Sequence, residues 1–326
     1  MSVILGTVTA MIVALLAIPV ATEAQPRAKV PHVGVLTWEA CPTPDSAFGV
    51  ALRERGYVWG QTIQIVCRSA EGDYSRLAAA AGALAAQKVD AIAALTHITA
   101  YAARQTTQSI PIVMITSGDP IATGLVASLA RPGGNITGLT YYASELVEKR
   151  MQLLKDMLPG VMRIAALANP DSAHVFGLYR TDAERSARAL GLQLLITDVS
   201  QPRDLDQRFE SMVKAGAQGL LVLTDPMLSS RARRLAELAA QHRLPAMYWA
   251  PWFVDAGGLA AYSADYDDLI RRAVYYVDRI LRGTKPADLP VEQPTKFALV
   301  INLKTARALG LTIPPSLRLR ADRVIE

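Results

Sequence analysis

Short apolar runs alternate with Ala/Leu-rich amphipathic segments along the chain from about residue 30 onward. The apolar runs predict eight strands, at residues 32–37, 62–67, 91–95, 112–116, 164–168, 193–199, 219–223 and 246–249. Their continuous apolar character is typical of strands that are covered on both faces of a sheet. Between them, Val147, Met151, Leu154 and Leu158 follow the spacing of one helix face. The alternation predicts repeated βαβ units and an α/β protein.

Four predicted strands precede residue 117 and four follow residue 163, so the pattern indicates two similar lobes. The turn-rich segment 131–138 and the extended run 139–142 mark where the chain leaves the first lobe. A short strand at 259–262 then ends the second lobe. A strong amphipathic helix at about 265–281 follows it and stops before a proline-rich stretch.

The N-terminal segment differs from the rest of the chain, because residues 3–21 carry no charged side chain. The apolar run, Pro19 and the small Ala24 predict a signal peptide over residues 1–24. An uncleaved membrane anchor is the alternative, since 19 such residues approach the roughly 20 that a spanning helix needs. With either segment the remainder of the chain is exported.

Charge and cysteine content narrow the classes of partner. The 34 basic and 29 acidic residues give a net charge of +5, and no window concentrates the excess as a nucleic-acid-binding surface requires. We therefore expect no nucleic-acid partner. Cys41 and Cys67 would lie in an oxidising compartment after export, where pairing is permitted. The sequence leaves that pairing open, because it does not give the separation of the two residues.

The sequence lacks the motifs of the common enzyme classes. It contains no Gly-x-Ser-x-Gly, no phosphate-binding Gly-x4-Gly-Lys, no His-Glu-x-x-His and no Cys-x-x-Cys motif. The acidic residues Asp265, Asp267 and Asp268 are typical of a helix start rather than of a metal site. We therefore expect a protein that is not an enzyme and that has neither a cofactor nor a metal.

Polar residues followed by proline come at or shortly after the ends of three predicted strands: Asp119, Asn169 and Asp225. Ligands of parallel α/β sheets lie at the carboxyl ends of strands. A helix that begins at such a position directs free N–H groups at an anion. These residues predict a site for a carboxylate, and an aspartate that faced the cleft would pair with a ligand ammonium.

Aromatic residues lie at the same strand ends and offer surfaces for a planar ligand. The aromatic residues at these strand ends include Tyr142 and Trp249. Two polar residues, Thr96 and His97, follow the third strand. The candidate ligand-binding residues are Trp38, Thr96, His97, Asp119, Tyr141, Asn169, Asp225, Tyr248 and Trp252.

Four segments carry a resemblance to a known family: residues 48–60, the run Glu71-Gly-Asp-Tyr-Ser-Arg-Leu77, residues 119–138 and residues 289–317. Together they make the chain, from about residue 31 to its C-terminus, resemble an exported substrate-binding-protein family of ABC importers. Better-known members of that family bind tryptophan or tyrosine. The chain departs from the family at Trp38, Cys41 and His97. These residues occupy loops that are commonly small and rich in Ser or Thr in members of the family.

The resemblance implies a type I periplasmic-binding-protein fold, an α/β architecture with two flavodoxin-like parallel-sheet lobes joined by three crossovers. Residues 25–140 would form lobe 1, completed by about 263–289. Residues 141–262 would form lobe 2, completed by about 290–326, with the third crossing at 290–294.

The function implied is that of a monomeric periplasmic receptor that closes on an amino acid or an aromatic carboxylate. Its partners would be the small-molecule ligand and the transmembrane subunits of an ABC permease. One alternative is a sensor domain that partners a membrane signalling receptor. A flavodoxin-like enzyme is the other alternative, which would need a nucleotide or metal site.

Overall fold

The computed structural model describes residues 29–116, 118–141 and 144–326. The predicted signal peptide and Tyr142 lie outside the described residues. The first sheet contains five parallel strands: β1 (His32–Thr37), β2 (Gln64–Ser69), β3 (Ala91–Ala94), β4 (Ile112–Thr116) and β5 (Ile136–Thr140). Their order, β2-β1-β3-β4-β5, is the flavodoxin-like order. Three helices connect them: α1 (Ala47–Glu54), α2 (Leu77–Ala86) and α3 (His97–Thr106).

The second sheet begins after the chain leaves β5. Its first five strands are β6 (Arg163–Ala168), β7 (Gln193–Asp198), β8 (Gly219–Val222), β9 (Ala246–Tyr248) and β10 (Ala260–Ala264). The accompanying helices are α4 (Ser144–Met157), α5 (Ala173–Ala189), α6 (Leu205–Lys214), α7 (Pro226–Ser230), α8 (Ala232–Gln241) and α9 (Pro251–Asp255). Within this sheet the order β7-β6-β8-β9-β10 repeats that of the first.

The C-terminal part of the chain contributes to both sheets. Helix α10 (Tyr266–Leu281) packs on β3, β4, β5 and α1 of the first sheet. The remaining elements are β11 (Phe297–Asn302), α11 (Leu303–Ala308), α12 (Pro315–Arg320) and β12 (Arg323–Ile325). β11 pairs antiparallel with β10, and β12 pairs parallel with β11. We call the first sheet with α1–α3 and α10 lobe 1, and the second sheet with its helices lobe 2.

Both faces are buried along inner strands such as β3, β4 and β8, which is why these strands are almost wholly apolar. On β1, Val33 and Val35 pack on one side of the sheet, while Leu36 packs on the other against α2 and α3. In α10, Leu269, Ala273, Tyr276, Val277 and Ile280 pack on the first of these sides. Side chains of successive strand residues point to opposite faces, so a sheet covered by helices on both sides requires apolar residues at every position.

The chain passes between the lobes three times. The crossings lie between Thr140 and Ser144, between Ala264 and Tyr266, and in the segment before β11. In the third, the backbone of Glu292 pairs with that of Gly138 and Thr140, and its carboxylate pairs with Arg272 of α10. This pairing holds the last crossing beside β5.

The structure corrects the prediction of two four-stranded halves. The extended run at 139–142 was interpreted as a linker, yet Ile136–Thr140 is the fifth strand of the first sheet. The second sheet has seven strands instead of the four predicted. The three additional strands are β10, which joins this sheet, and β11 and β12, which the sequence did not predict. β12 has three residues, too few for a periodic signal, and β11 follows closely on a run of prolines that indicates a loop.

Two of the three predicted helix starts are also wrong. Residues 120–123 form a turn, and helix α5 begins at Ala173 rather than at Pro170. Among the described residues, the third predicted start is the one at which a helix begins. Asp225 caps α7, and Pro226 is the first residue of that helix. Asp265 caps α10 as predicted, accepting a hydrogen bond from the Asp268 N–H, and Asp267 and Asp268 lie in the first turn of that helix.

Cys41 and Cys67 form a disulfide, with their Cα atoms 5.9 Å apart. The bond attaches the loop between β1 and α1 to strand β2. Two hydrogen bonds support the same loop, from Gly72 N to the Trp38 carbonyl at 3.0 Å and from Ser69 Oγ to the Glu39 carbonyl. The loop that carries Trp38 and Glu39 is therefore held in place by one disulfide and two hydrogen bonds.

We expect the double variant Cys41→Ser/Cys67→Ser to lose about 3–4 kcal/mol of unfolding free energy, because the bond closes a loop of 26 residues. Urea unfolding of the oxidised parent and of the variant measures the difference. The parent unfolded under reducing conditions is the matched control and should lose the same amount. Equal stability of the oxidised parent and the variant would contradict the expectation.

Candidate functional site

A cavity of about 290 Å³ lies between the two lobes at the carboxyl ends of the strands. Lobe 1 contributes seven lining residues: Trp38, Glu39, Ala40, Thr96, His97, Tyr141 and Tyr266. Lobe 2 contributes seven more: Thr224, Asp225, Pro226, Ser229, Ser230, Trp249 and Trp252. Trp38 follows β1, Thr96 follows β3 and Thr224 follows β8, so the cavity occupies the position at which parallel α/β sheets bind ligands. Its volume is close to the lower end of the ~300–1,000 Å³ typical of small-molecule sites.

Aromatic rings form a continuous wall across the two lobes. Trp249 and Trp252 meet edge to face with their centroids 5.1 Å apart, and Trp252 meets Tyr266 of lobe 1 at 5.5 Å. The Trp252 indole is fixed further by a hydrogen bond of 3.1 Å from its Nε1 to Ser229 Oγ. Tyr266 in turn lies 6.5 Å from Tyr141, and its hydroxyl donates to the Leu95 carbonyl. The wall presents rigid apolar surfaces suited to a planar ligand.

Three buried polar groups on the cavity wall have no hydrogen-bond partner among the described residues: Trp38 Nε1, Trp249 Nε1 and Thr224 Oγ1. The residues that carry them are 6%, 7% and 5% exposed. A buried donor without a partner costs about 1–3 kcal/mol. One of the two indole donors belongs to each lobe.

The charged groups of the cavity are carboxylates. Glu39 and Asp225 line it, while none of its described lining residues is a lysine or an arginine. Glu39 is partly exposed and faces Arg231 of lobe 2 at a long distance of 4.0 Å.

The Asp225 carboxylate accepts four hydrogen bonds. Its Oδ1 accepts from Leu228 N at 2.9 Å and from Asn169 Nδ2 at 3.2 Å, and its Oδ2 accepts from Ser172 Oγ and from Tyr74 OH at 3.0 Å. Burial raises the pKa of Asp225, and these hydrogen bonds oppose that rise. A carboxylate has about four acceptor positions, so these donors fill them.

Six of the nine predicted residues line the cavity: Trp38, Thr96, His97, Tyr141, Asp225 and Trp252. Asn169 lies behind the wall, where its side chain bonds Asp225 and Tyr74. The other two belong elsewhere. Asp119 accepts from the N–H groups of Ile121 and Ala122 in its own turn, so its carboxylate is used locally.

Tyr248 is fully buried in the core of lobe 2, stacked on Phe253 with centroids 4.7 Å apart. It is the last residue of β9, and the next residue, Trp249, is the one that reaches the cavity. The alternation of side chains along a strand explains the error of one position.

The prediction missed several residues of the site. Thr224 is next to a predicted residue at a strand end, so the strand-end rule could have found it, and Trp249 was named in the aromatic group but not among the candidate ligand-binding residues. Tyr266 starts α10 and Glu39 follows Trp38, and neither position carries a signal of its own. Tyr74 lies in a short 3-10 turn after β2 and lines a second, more polar opening of about 600 Å³ beside Trp38.

Comparison with known proteins places the chain in a family. Residues 44–325 match the model of the ABC transporter substrate binding proteins. A tyrosine-binding protein of Clostridioides difficile (strain R20291) is 28% identical over 297 residues, which cover 90% of this chain and 83% of that protein. No helix among the described residues is long and apolar enough to cross a membrane.

Solved structures show the same architecture. An ABC domain from Streptococcus pneumoniae in complex with L-Trp is 27% identical with a TM-score of 0.82, covering 90% of this chain and 99% of that one. A ligand-free, open substrate-binding protein with adhesive properties from Clostridium difficile is 25% identical with a TM-score of 0.65, covering 91% of this chain and 99% of that one.

These matches confirm the fold class expected from the sequence, with two flavodoxin-like lobes of parallel sheet joined by three crossovers. The match to the family model extends over most of the chain, and the relatives are binding proteins. The chain belongs to the family of ABC transporter substrate binding proteins and is not an enzyme.

Proposed function

We propose that the protein is the exported receptor of an ABC importer that binds an aromatic amino acid, or a close aromatic carboxylate, and presents its closed form to a membrane permease. The observation that carries the proposal is the aromatic cavity between the lobes, with unpartnered indole donors on both sides. The tyrosine-binding and L-Trp-bound relatives support the same ligand class.

Each part of such a ligand has a counterpart in the cavity. The aromatic ring would lie against Trp252 and Tyr266, and the carboxylate would accept from Trp38 and Trp249. We assign the ammonium group to Glu39 and not to Asp225, because the acceptor positions of Asp225 are filled by protein donors. This assignment replaces the ammonium role that the sequence indicated for Asp225.

Closure of the two lobes is supported by two observations. Trp252 of lobe 2 contacts Tyr266 of lobe 1 across the cleft. In addition, the fold superposes better on the L-Trp complex than on the ligand-free, open relative, although both are similarly distant in sequence. Hinge closure between two lobes is a common response of binding proteins to their ligands.

We expect L-tryptophan or L-tyrosine to raise the melting temperature and to reduce the radius of gyration. A ligand at 100 times its Kd stabilises the folded state by about 2.7 kcal/mol. Thermal shift and small-angle X-ray scattering measure the two effects, with a neutral sugar as control. A ligand that stabilises the protein and leaves its scattering unchanged would contradict closure.

We expect Glu39→Gln to weaken L-tryptophan about 10- to 100-fold and to leave indole-3-propionate, which lacks the amino group, nearly unchanged. The loss corresponds to one hydrogen bond to a charged group. Isothermal titration calorimetry gives both affinities. Trp252→Ala is the control variant, which should weaken both compounds because each carries the ring.

Asp225→Asn separates the two candidate carboxylates in the same assay. If it weakens L-tryptophan selectively and Glu39→Gln does not, the ammonium partner is Asp225. Strong binding of a neutral sugar would contradict the ligand class altogether.

The proposed location is the periplasm, with the protein acting as a monomer beside its permease. In a Gram-negative host we expect the mature protein in the periplasmic fraction, with an N-terminus near Gln25, because the segment before it has the features of a signal peptide. Mass spectrometry of the purified protein determines the terminus. An intact Met1 in the membrane fraction would instead favour the anchor.

A further inference from the structure

A group of four polar side chains, three of them buried, joins the lobes beside the ligand cavity. Tyr74 belongs to lobe 1, and Asn169, Ser172 and Asp225 belong to lobe 2. The Tyr74 hydroxyl donates to Asp225 Oδ2 at 3.0 Å, accepts from Asn169 Nδ2 at 2.9 Å, and lies 3.3 Å from Ser172 Oγ. The three lobe 2 residues are 1–3% exposed, while Tyr74 is half-buried and also lines the more polar opening beside Trp38.

The contact is asymmetric with respect to the lobes. The donors Asn169 Nδ2, Ser172 Oγ and Leu228 N belong to lobe 2, as Asp225 does. Their hydrogen bonds to Asp225 are therefore kept when the lobes move apart. Among the described residues, Tyr74 is the donor to Asp225 that comes from lobe 1. Separation of the lobes would therefore remove one donor from a buried carboxylate and leave the other three in place.

The position of Tyr74 is set by its own short turn. Asp73 Oδ1 accepts from Ser75 N at 2.9 Å and from Ser75 Oγ at 2.7 Å, which fixes the 3-10 turn of residues 74–76. The Tyr74 ring lies against the Trp38 indole, with centroids 4.5 Å apart. Trp38 forms part of the cavity wall, but Tyr74 does not line that cavity. One rigid unit thus brings Trp38 to the ligand and the Tyr74 hydroxyl to Asp225.

We propose that Tyr74 is a closure-determining residue, whose hydroxyl fastens lobe 1 to Asn169, Ser172 and Asp225 in the closed form and thereby sets ligand affinity without touching the ligand. The inference rests on the proposed function, because it requires lobes that open and close around a ligand. The apparent Kd rises as the binding-competent fraction falls. Loss of the hydroxyl therefore weakens binding through the closed population.

The test compares Tyr74→Phe with a matched control. Phenylalanine keeps the ring against Trp38 and removes only the hydroxyl. Tyr57→Phe removes an equivalent bond, since the Tyr57 hydroxyl donates to Asp278 Oδ1 at 2.9 Å, but both residues belong to lobe 1. Calorimetry with L-tryptophan gives Kd, and stopped-flow fluorescence of the cavity tryptophans gives the dissociation rate. Scattering of the ligand-free proteins gives their radius of gyration.

We expect Tyr74→Phe to weaken L-tryptophan about tenfold, mainly through faster dissociation, because a hydrogen bond to a charged group that exists in the closed form alone is lost. Tyr57→Phe should lower the unfolding midpoint and change Kd by less than about twofold. Equal affinities of Tyr74→Phe and the parent would overturn the proposal, as would an equal loss in Tyr57→Phe.

Failure of the ligand assignment is distinguishable from failure of this inference. If the parent binds neither L-tryptophan nor L-tyrosine, the proposed ligand class is wrong, and scattering without ligand decides the role of Tyr74. A larger radius of gyration in Tyr74→Phe than in the parent and Tyr57→Phe supports the closure role. Equal radii in all three proteins overturn it.

Discussion

The burial of one carboxylate, that of Asp225, is the constraint on which the site depends. A charged group removed from water is tolerated only when it is fully hydrogen-bonded. To meet that requirement, Asp225 starts helix α7 through Leu228 N, fixes the loop after β6 through Asn169 and Ser172, and meets Tyr74 of the other lobe. A single buried charge thus organises two strand ends and the contact between lobes.

The aromatic wall follows from the same constraint. Helix α7, which Asp225 caps, carries Ser229, and Ser229 accepts the hydrogen bond that orients the Trp252 indole. Trp252 in turn meets Tyr266 at the start of α10, the helix that returns the chain to lobe 1. The orientation of the ring that would stack on a ligand therefore depends on a polar network behind it, and a change in that network would reach the cavity without altering any aromatic residue.

What the sequence predicted well was what local pattern determines. Strands β1 and β4 have the predicted bounds, because two covered faces make their residues apolar throughout. The residues at the predicted strand ends then included most of the predicted residues that line the cavity. Tyr248 and Asp119 were misplaced because the pattern does not say which strand-end side chain turns outward or which carboxylate binds its own turn. Tyr74 was missed as a contact of Asp225 because they are 151 residues apart, and only the folded lobes bring them together.

The proposed ligand is a zwitterion, and the described residues that line the cavity include neither lysine nor arginine. Trp38 and Trp249, whose indole N–H groups have no partner among the described residues, line the cavity from opposite lobes. A carboxylate that accepted from both would do so only with the lobes together, so its binding energy would differ between open and closed forms, and only such a difference shifts the equilibrium. The Tyr74 contact adds a ligand-independent share to the same equilibrium. Affinity then reflects two separate terms, one from the ligand's acceptors and one from the protein's own hydrogen bond, which can change independently.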